Sequence, residues 1–297
     1  MRTLNLCYYA GLFLITAVFL TACSRLAPNV ALTRDLVYGQ GYVYSEEEDG
    51  YVLKNLSFDL MAPTDSPEAA RPALILVHGG SFTGGSKEDE DLFMLANQLA
   101  SAGYVCFLIN YRLMDEHPPA PPPFDKTDIE AIIHAVTVDV KAAIRHVRVS
   151  AGEYAVDPDR IAVIGTSAGA IAAIPAAISP QGKYASDGDV FPQPASNHPD
   201  VNESVRAVVD LWGNADLFLE EFDPTDPPFM IVHGAKDFTV GISLLPAETI
   251  VEQCKKNAIP YRYYPVLDEG HGVWDIEVDG RDLAGLILDF LQEFMAS

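Results

Sequence analysis

RIAVIGTSAGAIAAI, residues 160–174, joins a short apolar run to a run of small residues through a serine bracketed by two glycines. The first half reads as a strand buried on both faces and the second as a helix. Between them Gly165, Thr166, Ser167, Ala168 and Gly169 fit G-x-S-x-G. Alone, that pattern turns up by chance in on the order of one chain in ten of this length, at ordinary glycine and serine usage. Its placement carries more weight, because a strand-to-helix turn is where a nucleophilic serine is held exposed above a sheet. Glycines suit such a turn, since strained backbone there brings neighbouring chain too close for side chains. The plainer alternative, a small residue in a tight connection, is tested by whether the chain also supplies a base and an acid.

On either side the same rhythm repeats. PALILVH, GYVCFLINY, VRAVVDLW, PPFMIVHG and PYRYYPVL are short apolar runs that read as buried strands of a largely parallel sheet. Helical patterns lie between them: EDEDLFMLANQLASAG, DIEAIIHAVTVDVKAAIRHVRVSAGEY, LLPAETIVEQCKKNA and, last, RDLAGLILDFLQEFMA. Alternating strands and helices predict an α/β fold with right-handed crossovers and helices on both faces of a mostly parallel central sheet. GYVYSEEEDGYVLKNLSFDLMAP adds an N-terminal antiparallel hairpin turning at Asp49 and Gly50. The expected organisation is a signal segment over 1–22, a tether over 23–40 and one catalytic domain over 41–297. Two loops interrupt the pattern, a proline-stiffened stretch at 117–126 and a turn-rich stretch at 179–204, and both are expected at the rim of a site.

In such sheets ligands bind beyond the carboxyl ends of the strands. A serine hydroxyl needs a base there, and the base needs a carboxylate to set its tautomer. Asp237 follows the strand PPFMIVHG, 70 residues after Ser167, and His271 follows PYRYYPVL, another 34 on. The order Ser, Asp, His with all three just past strands is self-consistent. His134 and His146 fall inside a helical pattern, His117 and His198 lie in loops without a sheet edge, and His233 is expected to shape the turn before Asp237. Asp268 and Glu269 are too near His271 to orient it, which leaves Asp210 as the substitute acid. The Gly-rich turn LVHGGSFTGGS lacks the lysine and glycine spacing of a phosphate cradle. It points instead to backbone donors for an oxyanion, with Gly80 and Ser81 joined by Ala168 after the serine. Phe82 and Trp274 are candidates to stack on a substrate ring or simply to wall the pocket.

The chain has 297 residues, 19 Lys+Arg against 42 Asp+Glu and a formal net charge of −23. Phosphate binding needs clustered cations, so this balance argues against a nucleic-acid partner and against anionic membrane surfaces. At the N-terminus one Arg, an apolar stretch and Leu20, Thr21, Ala22, Cys23 read as a secretory signal ending in a lipobox. Cys23 is then the lipidated first residue, and Ser24 after it directs the protein toward an outer membrane; an uncleaved anchor over 4–22 is the alternative. Cys106 and Cys254 sit in a strand and a helix pattern and read as buried thiols, with no metal-ligand or disulfide spacing.

HGGSF, NYR, DPDRIAVIGTSAGA, HGAKDFTV and GHG occur in the order found in the α/β-hydrolase superfamily. From Gly41 to Ser297 the chain resembles bacterial HGG-type serine esterases, related to hormone-sensitive-lipase-like carboxylesterases and to feruloyl and acetyl esterases. The resemblance implies an acyl-enzyme carboxylesterase for short-chain esters, possessing no cofactor or metal, with Ser167, Asp237 and His271 as triad. Tyr111 and Arg112, and Asp157 and Pro158, look like structural parts of that pattern. Ser81 stands where many relatives have a third glycine, and no cap domain precedes the hairpin, which implies an open site. A serine peptidase or arylformamidase with the same triad, and a non-catalytic binding protein on this fold, are the alternatives. The partners expected are a small ester or acylated carbohydrate and, through Cys23, the membrane of a bacterial envelope.

Overall fold

The computed structural model describes residues 26–65, 70–120, 128–188 and 191–295. The signal segment, Cys23 and the later part of the proline-rich stretch lie outside them. In chain order the elements are β1 (Val30–Ser45), β2 (Gly50–Pro63), β3 (Arg71–Val77), α1 (Glu90–Ser101), β4 (Val105–Ile109), α2 (Ile129–Val149), β5 (Val156–Thr166) and α3 (Ala168–Ile178). They continue with β6 (Ala207–Leu211), β7 (Phe229–Gly234), α4 (Leu245–Asn257), β8 (Tyr261–Val266), the two-residue strands β9 (Glu277–Val278) and β10 (Arg281–Asp282), and α5 (Leu283–Met295). No helix among the described residues is long and apolar enough to cross a membrane.

The first eight strands form one sheet in the order β1-β2-β4-β3-β5-β6-β7-β8. β1 and β2 are antiparallel, as is β2 with β4; every later pair is parallel. This is the mostly parallel α/β sheet with an N-terminal antiparallel hairpin that the strand and helix pattern predicts, in the arrangement that the resemblance to α/β-hydrolases implies. Parallel strands present both faces to helices, which is why β3, β4, β6 and β7 carry almost unbroken apolar sequence. Phe107, Ile75 and Val163 meet α2, α3 and α4 residues such as Val140, Ile174 and Ile250 on one face. Leu74, Leu108 and Val209 meet Leu95 of α1 and Ile287 of α5 on the other. Each such fully buried side chain contributes about 1.5–3 kcal/mol.

Two expectations need correction. Residues 30–40 are not a tether: β1 starts at Val30 and pairs with β2 from Val30↔Pro63 onward. Its register shifts between Thr33 and Leu36 and again between Val37 and Gly39, with Asp35 at φ 59°, so the bulges break the two-residue alternation that would reveal a strand. The folded unit therefore begins upstream of residue 41. β8 is the sheet's edge and is only half-buried, unlike the two-sided strands with which its aromatic sequence groups it.

The chain leaves β3 toward β4 on one side and β5 toward β6 on the other, and β3 and β5 pair directly, Val77 opposite Gly165. The strand order thus reverses at the β3–β5 boundary, and in open α/β sheets ligands bind in the space beyond the carboxyl ends of the strands at such a reversal. Both the Gly-rich turn after β3 and the serine turn after β5 empty into that space.

Candidate active site

Ser167 caps α3 with φ 52° and ψ −120°, a left-handed conformation that a non-glycine residue adopts only under constraint. Its amide donates to the Leu211 carbonyl at 2.9 Å, which ties the turn to β6. The flanking glycines work by close approach. A Cβ on Gly165 would lie 2.5 Å from Ala170 Cα, and one on Gly169 would lie 2.3 Å from the Val77 carbonyl oxygen. α3 therefore packs onto the end of β3 at a spacing no side chain permits.

Three predicted side chains converge. His271 Nε2 lies 2.8 Å from Ser167 Oγ, and its Nδ1 lies 2.7 Å from Asp237 Oδ2. A carboxylate oxygen accepts, so Nδ1 carries the proton and the Nε2 lone pair faces the serine hydroxyl. Asp237 is fully buried, and its Oδ1 accepts the Thr239 amide at 2.8 Å. His271 is 24% exposed, open to a substrate from the solvent side. The two loops that carry acid and base are joined along their backbones: Ala235 donates to Val266, and Lys236 to Glu269, each at 2.8 Å. Gly234 makes this possible, since a Cβ there would meet the Gly270 carbonyl at 2.1 Å.

Asp210, the substitute acid, does not join them. It sits in β6 beside Gly165, accepts the Gly213 amide at 2.8 Å, and burial pushes its carboxyl up to about 7. The rival histidines also stand elsewhere. His134 meets the Ser186 carbonyl at 2.8 Å, and His146 packs against Phe58 and Tyr154, where burial pushes it down to about 4. His117 and His198 hold left-handed turns at the ends of short 3-10 segments. Asp268 pairs with Lys236 at the surface.

The Gly-rich turn bends through three successive left-handed residues, Gly80, Ser81 and Phe82. Thr83 and Gly84 amides close it onto the Gly80 carbonyl. Among the described residues the amides of Gly80, Ser81 and Ala168 donate to no protein acceptor. Ala168 opens α3, where the first amides have no intrahelical partner and the helix dipole favours negative charge. Gly79 brings the turn against the serine: a Cβ there would lie 3.2 Å from Ser167 Cβ.

Sequence reasoning gave His78 no role, yet it braces this turn. Its ring stacks on Tyr111 with centroids 4.2 Å apart, and Nδ1 meets the Gly79 carbonyl at 2.7 Å while the Tyr111 hydroxyl donates to the His78 carbonyl at 3.0 Å. Burial pushes His78 down to about 4, so the ring is a neutral donor. The joint presence of HGG and NYR was the available signal. Phe82 is buried edge-on against Tyr111 and supports the turn rather than offering a stacking surface. Trp274 packs edge-on against Trp212 and lines a cavity of about 340 Å³ with Met94 and Asp275. Phe238, Ile242 and Leu267, all on loops past β7 and β8, are exposed apolar side chains that no sequence pattern distinguished from core.

The 179–204 loop is held along α2 and β1. Asp187 binds Arg112, Lys183 gives its carbonyl to Lys141, Asn197 bonds the Gln40 backbone, and Glu203 beyond it takes Lys141 and Arg145. None of these bonds reaches Ser167, Asp237 or His271. Among the described residues no group of three or more His, Cys, Asp or Glu is placed to hold a metal ion.

The BD-FAE family model matches residues 58–223 of the chain. Esterase LipQ of Mycobacterium tuberculosis is 29% identical over 241 residues, covering 70% of this chain and 49% of that protein. The chain spans about half the length, or less, of the curated relatives it matches. Among solved structures, a truncated carbohydrate esterase from gut microbiota superposes with a TM-score of 0.66 at 20% identity, over 90% of this chain and 97% of that one. Propionate-bound esterase 2 of Thermogutta terrifontis superposes with a TM-score of 0.62 at 22% identity, over 91% and 97%. At such identities the superpositions speak to the fold.

Proposed function

The chain belongs to the BD-FAE family, and from that premise and the site geometry we propose that it is a serine carboxylesterase. The observation that carries the reading is the unbroken relay from Ser167 Oγ through His271 to the buried Asp237, 2.8 Å and 2.7 Å long. His271 takes the proton of Ser167 as the oxygen attacks the ester carbonyl, and Asp237 stabilises the imidazolium that results. The carbonyl oxygen, now an anion, turns toward the unpartnered amides of Gly80, Ser81 and Ala168; such a donor lowers the barrier by about 2.7–4 kcal/mol. His271 then returns the proton to the leaving alcohol. Water, activated by the same ring, releases the acyl group from Ser167.

The preferred substrates under this reading are short-chain esters, with acetyl or feruloyl groups on carbohydrate as the natural setting. The carbohydrate esterase among the structural neighbours and the propionate held by another favour that choice. The lipobox at Cys23 supports a lipid-anchored protein of the bacterial envelope, out of reach of cytoplasmic metabolites.

Hydrolysis of p-nitrophenyl acetate, butyrate and octanoate by the purified protein tests the activity. Acetate and butyrate are expected to turn over, and Ser167→Ala is expected to lose about 10⁴-fold or more in kcat while keeping its thermal melt. Unchanged turnover in that variant would overturn the assignment.

A further inference from the structure

The relay has a second histidine behind it. His233, the penultimate residue of β7, is fully buried, and its Nε2 lies 3.3 Å from Asp237 Oδ2. That is the same carboxylate oxygen that His271 Nδ1 approaches to 2.7 Å. Neither ring nitrogen of His233 makes a hydrogen bond of good geometry among the described residues. A buried imidazole whose partners are poorly aligned costs free energy that a well-packed apolar residue would avoid.

We propose that His233 is a positioning residue for the triad, donating Nε2–H to Asp237 Oδ2 and so sharing that oxygen with His271. The inference rests on the esterase reading of Ser167, Asp237 and His271. Three groups face the His233 ring: the Asp237 carboxylate on its own loop, the His271 ring from the loop after β8, and the Ser243 backbone from the segment leading into α4. Burial is the largest influence and holds the ring below its ordinary range, with the Asp237 charge opposing it. At neutral pH the ring therefore carries one proton. On Nδ1, that proton would leave the Nε2 lone pair facing a carboxylate in a dry site; on Nε2 it makes the contact attractive. The present separation is slightly long and off-angle, as catalytic hydrogen bonds commonly are before a substrate is bound. A donor on Oδ2 shares the carboxylate charge that faces His271 Nδ1, so its removal strengthens the Asp237–His271 attraction, and it also fixes the carboxylate plane on which His271 is aligned.

Two variants separate this role from simple packing. His233→Gln can keep a donor near Nε2, whereas His233→Leu keeps bulk without one. In His233→Leu the acidic limb of the kcat/KM profile is expected to move up by about half a pH unit, with kcat lowered about 10-fold and KM unchanged. His233→Gln is expected to restore most of both. Coincident limbs in parent and Leu variant, or equal shifts in the Leu and Gln variants, would overturn the proposal. A measurement on the unsubstituted protein needs neither folding of a variant nor activity: the ¹⁵N shifts of His233 at neutral pH are expected to report the Nε2–H tautomer. An Nδ1–H tautomer refutes the role of His233 alone, whereas an unsubstituted protein inert on the ester panel refutes the esterase reading.

Discussion

Ser167 holds a backbone angle that side chains avoid, and the strain is sustained by bonds on three sides: its amide to β6, α3 beginning at the next residue, and glycines that let β3 come close. The contrast between two buried aspartates shows how placement assigns chemistry. Asp237 lies past the end of β7 with His271 at its outer oxygen, whereas Asp210 lies within β6 with one amide for company. Asp237→Asn is expected to invert the His271 tautomer and lower kcat by about 10⁴-fold, measured at saturating p-nitrophenyl acetate. Asp210→Asn is expected to spare the triad and instead change the pH dependence of stability. The folded carboxyl keeps its proton up to about pH 7, whereas in the unfolded chain it is released near 3.8. Between those values the folded state binds the extra proton, so its stability falls as pH rises through that window. The melting temperature of Asp210→Asn relative to the parent should therefore be higher at pH 8 than at pH 4, corresponding to about 2–4 kcal/mol.

α2 acts as a mast for the long loop beside it. Arg112, fully buried at the end of β4, meets Asp139 of α2 and Asp187 of the loop, while Lys141 and Arg145 of α2 share Glu203. A buried guanidinium between two carboxylates holds the loop only while all three charges are present. Removing one partner leaves an unpaired charge in the interior, a loss of about 3–5 kcal/mol. Arg112→Met is expected to destabilise the protein by that order in urea titration and to raise amide exchange across 182–188 first, before the triad loops. The proline-bearing α3 shows a different economy. It is almost uniformly apolar and small, with nine buried residues, because it fills the space between sheet and α2 where larger side chains would not fit.

Across the whole molecule, a two-faced core is enclosed in a chain whose formal net charge is −23, which leaves its surface acidic. Self-repulsion of that surface opposes the compact state and is screened by salt. Raising sodium chloride from about 0.01 to about 0.5 M is expected to raise the melting temperature by a few degrees; a flat or falling response would show that attractive pairs such as Arg262–Glu293 outweigh the repulsion.

Apolar runs of five to seven residues, helix periodicity between them, and glycines around one serine were sufficient to specify the α/β class and the parallel strands of the sheet, and to narrow the site to Ser167, His271 and one of two aspartates. These signals are local, each written in a few neighbouring residues, and chain order constrained how they combine. Bulged β1 was hidden because its irregularities cancel the period that marks a strand. The separation of Asp237 from Asp210, the bracing of the Gly-rich turn by His78 and Tyr111, the exposure of Phe238 and Ile242, and the approach of His233 to Asp237 were decided only in three dimensions. Each depends on which strand ends lie side by side, and that follows from the sum of many packing contacts across the sheet rather than from any short stretch of chain.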